Sequence, residues 1–227
     1  MTPRIRLEGL TARYPGFALG PVTLELAAGE CLAVLGESGS GKSTLARLMI
    51  GLERPSEGRV LINDIDTTKW GLREWRKYRG KIQAVFQDAG GTLNPAWSTS
   101  KNVEEALVNL TDLSSTQRKS RIAELMGQTG LQKSLLDTPV RKLSGGEQRR
   151  LALLRSLSIS PEFLILDEVT AGLDLISTEA VLQLLEKYEQ EHDCAYLVIT
   201  HDLQVASRLS EVIYEIEHGK ITKKAVR

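Results

Sequence analysis

The residues best suited to chemistry lie in the stretch Gly36 to Thr44, which reads GESGSGKST and fits the phosphate-binding pattern G-x-x-x-x-G-K-[ST]. Its glycines let the backbone curl so that successive N–H groups point at phosphate oxygens, and a helix beginning near Lys42 adds its positive end. We predict that Lys42 contacts the β- and γ-phosphates and that Ser43 gives its hydroxyl to Mg²⁺. The other nucleotide-binding candidates in this stretch are Gly36, Ser38, Gly39, Ser40, Gly41 and Thr44. A flexible Gly/Ser turn is the simpler alternative, but it does not explain the full pattern between an apolar run and an apolar-periodic helix.

Two adjacent acids form a second candidate group. Asp167 and Glu168 follow the apolar run Phe163 to Leu166. At the carboxyl end of a strand beside a nucleotide loop, Asp167 can hold Mg²⁺ and Glu168 can polarise the attacking water. Two surface acids in a turn are the alternative, but that interpretation does not explain why they end the most apolar strand. We therefore predict a metal-binding role for Asp167 and a catalytic role for Glu168.

Two further polar residues follow predicted strands. Gln87 comes after the predicted strand 81–86, and His201 comes shortly after the apolar run 195–199. Ligands of open α/β sheets bind outside the carboxyl ends of the strands, so both side chains should reach the edge that holds the acids. We predict that both are catalytic and that Gln87 is also a metal ligand. A lone histidine is more often structural, which is how we interpret His192 and His218.

A second glycine-containing helix start occurs at Ser144, Gly145, Gly146 and Glu147. Ser144 is predicted to cap the helix, and the two glycines leave backbone N–H groups free for a phosphate. This stretch has no nucleotide loop of its own nearby in the sequence. Elsewhere, Tyr14 could stack on an adenine ring; ordinary sheet packing is the alternative.

The elements that must position these residues are those of an α/β fold. Alternating residues in 4–14 and 22–26 predict an antiparallel β layer before the nucleotide loop. Short apolar runs that end at the candidate residues predict a mostly parallel sheet with helices. Helical signals fill residues 89–160, including a capping box from Ser114 to Gln117. We predict one domain, with residues 1–88 and 161–227 forming the β layer and core and residues 89–160 forming an inserted helical subdomain.

Composition limits the possible classes of function. The 227 residues carry 29 basic and 29 acidic side chains, so a general nucleic-acid binder, which needs a broad basic field, is not expected. No signal-peptide-like or membrane-spanning run is present, and we expect a cytoplasmic protein. Cys31 and Cys194 lie far apart in apolar runs, which favours reduced core thiols over a disulfide framework.

Taken in order, these motifs resemble those of the ATP-binding cassette (ABC) ATPases over essentially the whole chain. In this resemblance the stretch Gly36 to Thr44 matches the Walker A loop, and Phe163 to Glu168 the Walker B strand. Gln87 matches the Q-loop, Leu143 to Glu147 the family signature, and His201 the switch histidine. The resemblance also implies that Tyr14 stacks on adenine and that Asp174, in the D-loop from Ala171, belongs to the site.

The chain departs from the family pattern in two places. The signature has Glu147 where glutamine is commonest, and Val169 and Gly172 replace the usual proline and alanine after the Walker B acids. Because Glu168 is intact, we do not expect a degenerate copy that binds ATP without hydrolysing it.

The family resemblance also implies the cofactors and partners. These are ATP and Mg²⁺, a second cassette whose signature completes the nucleotide site, and integral membrane permease subunits. An extracytoplasmic solute-binding protein is implied indirectly, and the cassette would lie at the cytoplasmic face of the plasma membrane. ATP would hold two cassettes together, and hydrolysis would release them.

The branch of the family is suggested by Phe86-Gln87-Asp88 followed by Leu93-Asn94-Pro95, which is similar to importers of oligopeptides, dipeptides, nickel and metal chelates. A short exporter or lipoprotein-release ATPase is one alternative. A soluble cassette that remodels DNA or ribosomes is another, but the chain has neither a long coiled coil nor a second cassette. A regulator without turnover is a third. In a transporter, Trp97 is predicted to contact a permease helix, with packing inside the helical subdomain as the alternative.

Overall fold

Within residues 3–88 and 90–226, which this computed structural model describes, the chain forms two β-sheets and seven α-helices. The strands are β1 (Arg4–Tyr14), β2 (Phe17–Ala27), β3 (Cys31–Leu35), β4 (Glu57–Ile62), β5 (Ile65–Asp66), β6 (Ile82–Val85), β7 (Phe163–Asp167), β8 (Ala195–Thr200), β9 (Val212–Glu217) and β10 (Lys220–Val226). The helices are α1 (Lys42–Met49), α2 (Leu72–Tyr78), α3 (Thr99–Leu110), α4 (Ser115–Gln128), α5 (Gly145–Ser158), α6 (Leu175–Glu191) and α7 (Leu203–Leu209).

The first sheet is the antiparallel layer expected at the N-terminus, with the order β2-β1-β4-β5. Alternating apolar side chains of β1, such as Ile5 and Leu7, are fully buried. The register of β1 against β2 shifts between Leu7 and Leu10. Gly9 lies inside this irregularity with a φ of 58°, a conformation that glycine adopts without steric cost.

The second sheet has the order β10-β9-β3-β8-β7-β6 and is parallel from β9 to β6. Every residue of β3, β7 and β8 is buried, which explains why these strands are continuous apolar runs instead of alternating ones. Since β6, β7, β8 and β3 run in the same direction, their carboxyl ends lie at one edge. The expected α/β fold with an antiparallel layer is confirmed.

Helices α3, α4 and α5 follow one another in the region that was predicted to be helical. They share a core that includes Leu107 on α3, Leu125 on α4 and Leu151 on α5. Both predicted helix caps are present, at Ser114 for α4 and at Ser144 for α5. Ala89, where we placed the start of the inserted subdomain, lies outside the described residues. The division into core and inserted subdomain stays a prediction.

The two cysteines are free and buried, as predicted from their positions in apolar strands. Burial raises the pKa of Cys194 to about 12 and raises the pKa of Cys31 as well, so neither thiol forms a thiolate readily. Among the helices of the described residues, none combines the length and the apolar character that crossing a membrane requires.

Candidate nucleotide site

A cavity of about 590 Å³ lies at the sheet edge where β3, β6, β7 and β8 end. Its lining comprises Phe17, Glu37, Ser38, Gly39, Gly41, Lys42, Ser43, Thr44, Gln87, Asp167, Glu168 and His201. Gly36 and Ser40 line an adjoining cavity of about 780 Å³. His218, which we interpreted as structural, also lines this adjoining cavity. The fold thus brings the loop residues, both acids, Gln87 and His201 together.

The loop between β3 and α1 has a backbone that suits phosphate binding. Gly39 and Gly41 have φ values of 81° and 110°, which place them in the left-handed region that favours glycine. A Cβ atom on Gly36 would lie 2.5 Å from the carbonyl oxygen of Ile216, so a larger residue does not fit there. These positions let the loop curl over the start of α1, where the N–H groups of the first helical turn are suited to binding an anion.

Lys42 is the first residue of α1 and is only 7% exposed. Its Nζ donates hydrogen bonds to the carbonyl oxygens of Gly36 (2.7 Å) and Glu37 (2.8 Å). Among the described residues no carboxylate forms an ion pair with this ammonium group. The loop therefore holds a cation inside its own curve, where an anionic ligand would meet it.

Asp167 at the end of β7 is 2% exposed, and burial raises the pKa of its carboxyl group while a hydrogen bond from the Ser43 side chain opposes that shift. Its Oδ1 atom is buried and has no hydrogen-bond partner among the described residues. An unsatisfied buried carboxylate oxygen is costly, and a hydrated divalent cation would satisfy it. Ser43 and Asp167 therefore fit a Mg²⁺ ion, with the exposed Gln87 lining the same cavity.

Glu168 and His201 form a direct pair in this cavity. His201 Nδ1 lies 2.9 Å from both carboxylate oxygens of Glu168. Glu168 is 7% exposed, and its N–H donates to the carbonyl oxygen of Ile199 on β8 (2.9 Å). Its φ of 54° is uncommon for a residue with a side chain, and strained backbone of this kind is concentrated at functional sites. The pairing of β7 with β8 thus aims the carboxylate at the nucleotide loop.

Two aromatic residues lie near this cavity, Tyr14 and Phe17, and only Phe17 is among the described residues that line it. Tyr14 is 40% exposed and its hydroxyl donates to a carboxylate oxygen of Glu53, while Phe17 lines both cavities and its ring faces Gly41. The two rings are stacked, with centroids 6.3 Å apart and an interplanar angle of 25°. From the sequence the stacking role was assigned to Tyr14 alone, although Phe17 is its pairing partner across the β1–β2 hairpin.

The signature and D-loop residues lie outside the cavity of their own chain. Ser144 caps α5, with Gly145, Gly146 and Glu147 in its first turn. Asp174 caps α6, where its carboxylate accepts hydrogen bonds from the N–H and the hydroxyl of Ser177 (2.9 and 2.8 Å). Within one subunit the cavity is therefore lined by the Lys42 loop, the two acids, Gln87, His201 and Phe17, and not by the signature residues or Asp174.

Arg149 was not among the residues predicted from the sequence. It follows the signature on α5, and its guanidinium donates to the carbonyl oxygen of Ala171 in the D-loop. Neighbouring Arg150 lies 3.4 Å from the hydroxyl of Ser177 on α6. The start of the signature helix is therefore tied to the segment that follows Glu168.

Comparison with known proteins identifies the family. A family model described as ABC transporter matches residues 19–171. The nickel import ATP-binding protein NikE of Rhodospirillum rubrum is 37% identical over 221 residues, which cover 97% of this chain and 80% of that protein. NikE of Brucella suis is 36% identical over 218 residues, which cover 96% of this chain and 81% of that protein.

Solved structures share the fold over nearly the whole length. The dimeric structure of MJ0796, a bacterial ABC transporter cassette, has a TM-score of 0.90 at 32% identity and covers 98% of this chain and 99% of its own. The same cassette bound to ADP and phosphate, in a post-hydrolysis state, has a TM-score of 0.89 at 30% identity, with the same coverage. The family match, the relatives and a pocket built around Lys42 and Glu168 show that this chain belongs to the ABC transporter family as one of its ATP-binding, ATP-hydrolysing subunits.

Proposed function

We propose that this chain powers the import of nickel, metal chelates or peptides by closing onto a second cassette when ATP binds and opening after hydrolysis. The observation that carries the branch is the similarity to nickel import ATP-binding proteins over 97% of the chain. The similarity of Leu93-Asn94-Pro95 to the same branch supports it. No residue of the chain selects the solute in this proposal, since the permease and an extracytoplasmic solute-binding protein do so.

The residues of the cavity take the following roles in hydrolysis. The Gly36 to Thr44 loop, with Lys42, binds the β- and γ-phosphates. The curled backbone of the loop and the buried ammonium group of Lys42 support this assignment. Ser43, Gln87 and Asp167 hold Mg²⁺, which would offset the negative charge of the phosphates. Glu168 accepts the proton of the attacking water, and His201, 2.9 Å away, keeps its carboxylate in position.

The base of the nucleotide needs an aromatic surface, and Phe17 and Tyr14 supply one together in this proposal. Phe17 lines the cavity, and Tyr14 is stacked on it. We expect Phe17→Ala to weaken ATP binding by about 10-fold, because stacking on a base contributes roughly 1–3 kcal/mol. Tyr14→Ala should weaken it less, since its ring lies outside the lining.

Titration calorimetry measures the ATP affinity of both variants. Tyr78→Ala serves as a control, because this aromatic residue packs against Trp70 away from the cavity. A larger loss for Tyr14→Ala than for Phe17→Ala would make Tyr14 the main stacking residue, as the family resemblance implies. Unchanged affinity in both variants would rule out an aromatic platform here.

A second cassette completes each nucleotide site in this proposal. The Ser144 helix start and Asp174 lie outside the cavity of their own chain, so they are available to another subunit's nucleotide. Head-to-tail pairing would bring the helix start at Ser144, Gly145 and Gly146, with Glu147 beside them, to the γ-phosphate held by the partner's loop. The similar cassette MJ0796 was solved as a dimer, which supports this arrangement.

The segment after Gln87 is the proposed contact with the membrane permease. Its turn is anchored on α3 by the buried Asn102, whose Oδ1 accepts from the Asn94 N–H (2.8 Å) and whose Nδ2 donates to the Asn94 carbonyl oxygen (3.1 Å). A shift of Gln87 on loss of the γ-phosphate would therefore reach α3 through this turn. Trp97 is half-buried, lies outside the apolar core clusters and carries the Lys101 ammonium 4.8 Å from its ring centroid.

We expect Trp97→Ala to reduce solute uptake by the assembled transporter several-fold, roughly the effect of losing one interface anchor. Basal ATP hydrolysis by the isolated subunit should stay within about two-fold of the unchanged chain, because one interface anchor is lost and the nucleotide site is not altered. A half-buried aromatic side chain offers apolar surface on which a permease helix can pack. Removing it leaves the apolar core of the subunit intact, because Trp97 lies outside that core. Uptake assays and thermal melting measure the two effects. Val108→Ala, on the exposed side of α3, is the control. A large loss of thermal stability, or normal uptake, would contradict a coupling role.

Uptake by whole cells tests the import proposal directly. Cells that lack only this chain should lose ATP-dependent uptake of one class among nickel, metal chelates and peptides, and the chain should co-purify with permease subunits at the cytoplasmic face of the plasma membrane. Loss of an efflux or lipoprotein-release activity, with normal uptake of all three classes, would instead support the exporter alternative.

A further inference from the structure

The Ser144 helix start, which the sequence predicts to be an open anion site, already holds a carboxylate of its own chain. One carboxylate oxygen of Glu147 accepts hydrogen bonds from the Ser144 N–H (2.8 Å) and from the Ser144 hydroxyl (2.8 Å). The Glu147 N–H in turn approaches the Ser144 Oγ at 3.3 Å. The hydroxyl proton that would face an incoming phosphate is therefore engaged within the subunit.

Helix α4 of the same chain provides an internal comparison. Its cap is also a serine, but the residue three positions on is Gln117. The Gln117 Oε1 atom accepts from the Ser114 N–H (2.8 Å), and the Gln117 N–H approaches the Ser114 Oγ (3.4 Å). No hydrogen bond joins the Ser114 hydroxyl to the Gln117 side chain among the described residues. A glutamine thus closes the cap and leaves the serine hydroxyl proton free.

The charge of Glu147 acts in the same direction as its hydrogen bonds. Hydrogen bonds from the Ser144 backbone and side chain, with the nearby Arg150, lower the pKa of Glu147 below its ordinary value, so the side chain is anionic near neutral pH. A carboxylate in the first turn offsets the positive end of α5. It would also repel a phosphate that approaches the same N–H groups.

We propose that Glu147 is an internal competitor for the γ-phosphate of the partner subunit's ATP, so that it weakens the ATP-driven pairing of two cassettes. This inference rests on the proposed function, since it needs the Ser144 helix start to meet a nucleotide held by a second copy of the chain. A Cβ atom on Gly145 would meet no atom within 4 Å, so the approach to this helix start is open. On pairing, the Ser144 hydroxyl turns from the Glu147 carboxylate to the phosphate.

Glu147→Gln tests the proposal, because the α4 cap shows that glutamine at this position preserves the helix start. Both this variant and its parent carry Glu168→Gln to suppress hydrolysis. Sedimentation velocity over a range of protein concentrations with saturating ATP gives the dimer dissociation constant. We expect Glu147→Gln to lower this constant about 10-fold or more, because it removes one negative charge beside the phosphate and frees one donor.

Glu74→Gln is the matched control. Glu74 is also the third residue of a helix and caps it by accepting from the Gly71 N–H (3.0 Å), but it lies outside the nucleotide cavity. This control should leave the dimer dissociation constant unchanged. Two further measurements exclude a structural effect of Glu147→Gln: its melting temperature and the affinity of its own loop for ATP under monomeric conditions should match those of the parent.

The possible results separate this inference from the proposed function. In the first, both proteins dimerise with ATP, but Glu147→Gln does so no more tightly than its parent. That result overturns the competitor role, while the dimer proposal stands. If neither protein dimerises at any ATP concentration, then pairing of two copies, and with it this inference, is overturned. A tighter dimer without ATP would also overturn it, because the effect would then not involve the phosphate.

Discussion

Glu168→Gln is expected to lower steady-state ATP hydrolysis by roughly 10²- to 10⁴-fold, the range that a single general base contributes. The change removes the carboxylate beside His201 but retains the shape of the side chain and the N–H that donates to Ile199. The Lys42 loop and Asp167 are untouched, so ATP should still bind with near-normal affinity. Phosphate release measures turnover, and calorimetry measures binding.

Glu162→Gln provides the control for this prediction. Glu162 immediately precedes β7, at the strand end opposite Glu168, and forms an exposed ion pair with Lys81 at 2.7 Å. This variant should hydrolyse ATP normally, since exposed ion pairs contribute little to stability. If Glu168→Gln hydrolyses ATP within a few-fold of the unchanged chain, Glu168 is not the base.

Lys42→Ala is expected to weaken ATP binding itself, by roughly 10- to 100-fold, and to reduce turnover further, in line with the contribution of charge-assisted hydrogen bonds. The buried ammonium is held by two loop carbonyl oxygens, those of Gly36 and Glu37, and faces the cavity. Its removal deletes the cation that a phosphate would meet there. Calorimetry with ATP at saturating Mg²⁺ measures the effect.

Lys42→Ala also removes two hydrogen bonds from the loop, so its stability must be measured separately. Lys187→Ala is the control, because the ion pair that Lys187 forms among the described residues is an exposed one, with Glu191 on α6. A melting temperature near that of the unchanged chain, together with lost ATP affinity, would place the effect in the site. Unchanged ATP affinity would count against the phosphate-binding role of Lys42.

The sequence by itself determined the local features of this protein. The Gly36 to Thr44 loop was predictable because its glycines and lysine act within a few residues of one another. Strand ends at Asp167 and Thr200 were predictable because buried parallel strands are continuous apolar runs. The caps at Ser114 and Ser144 were predictable for a similar reason, since a capping box closes within four residues.

The tertiary structure decided which of these local features meet. The pairing of β7 with β8 places His201 beside Glu168, 33 residues away in sequence, and strand spacing alone does not determine that order. Side-chain direction at the β1–β2 hairpin puts Phe17 on the cavity and turns the Tyr14 hydroxyl to Glu53. Such placements depend on neighbours that are distant in the chain, because each rotamer is set by the packing around it.

At the Ser144 helix start, sequence and tertiary structure determine different features within a single helical turn. Its sequence predicts the cap and the free N–H groups, but not the hydrogen bond that the Ser144 hydroxyl gives to Glu147. A hydroxyl group rotates freely about its C–O bond, so the acceptor it chooses depends on which oxygen lies within reach in three dimensions. The structure places the Glu147 carboxylate there, and in our proposal that contact competes with a phosphate for the helix start.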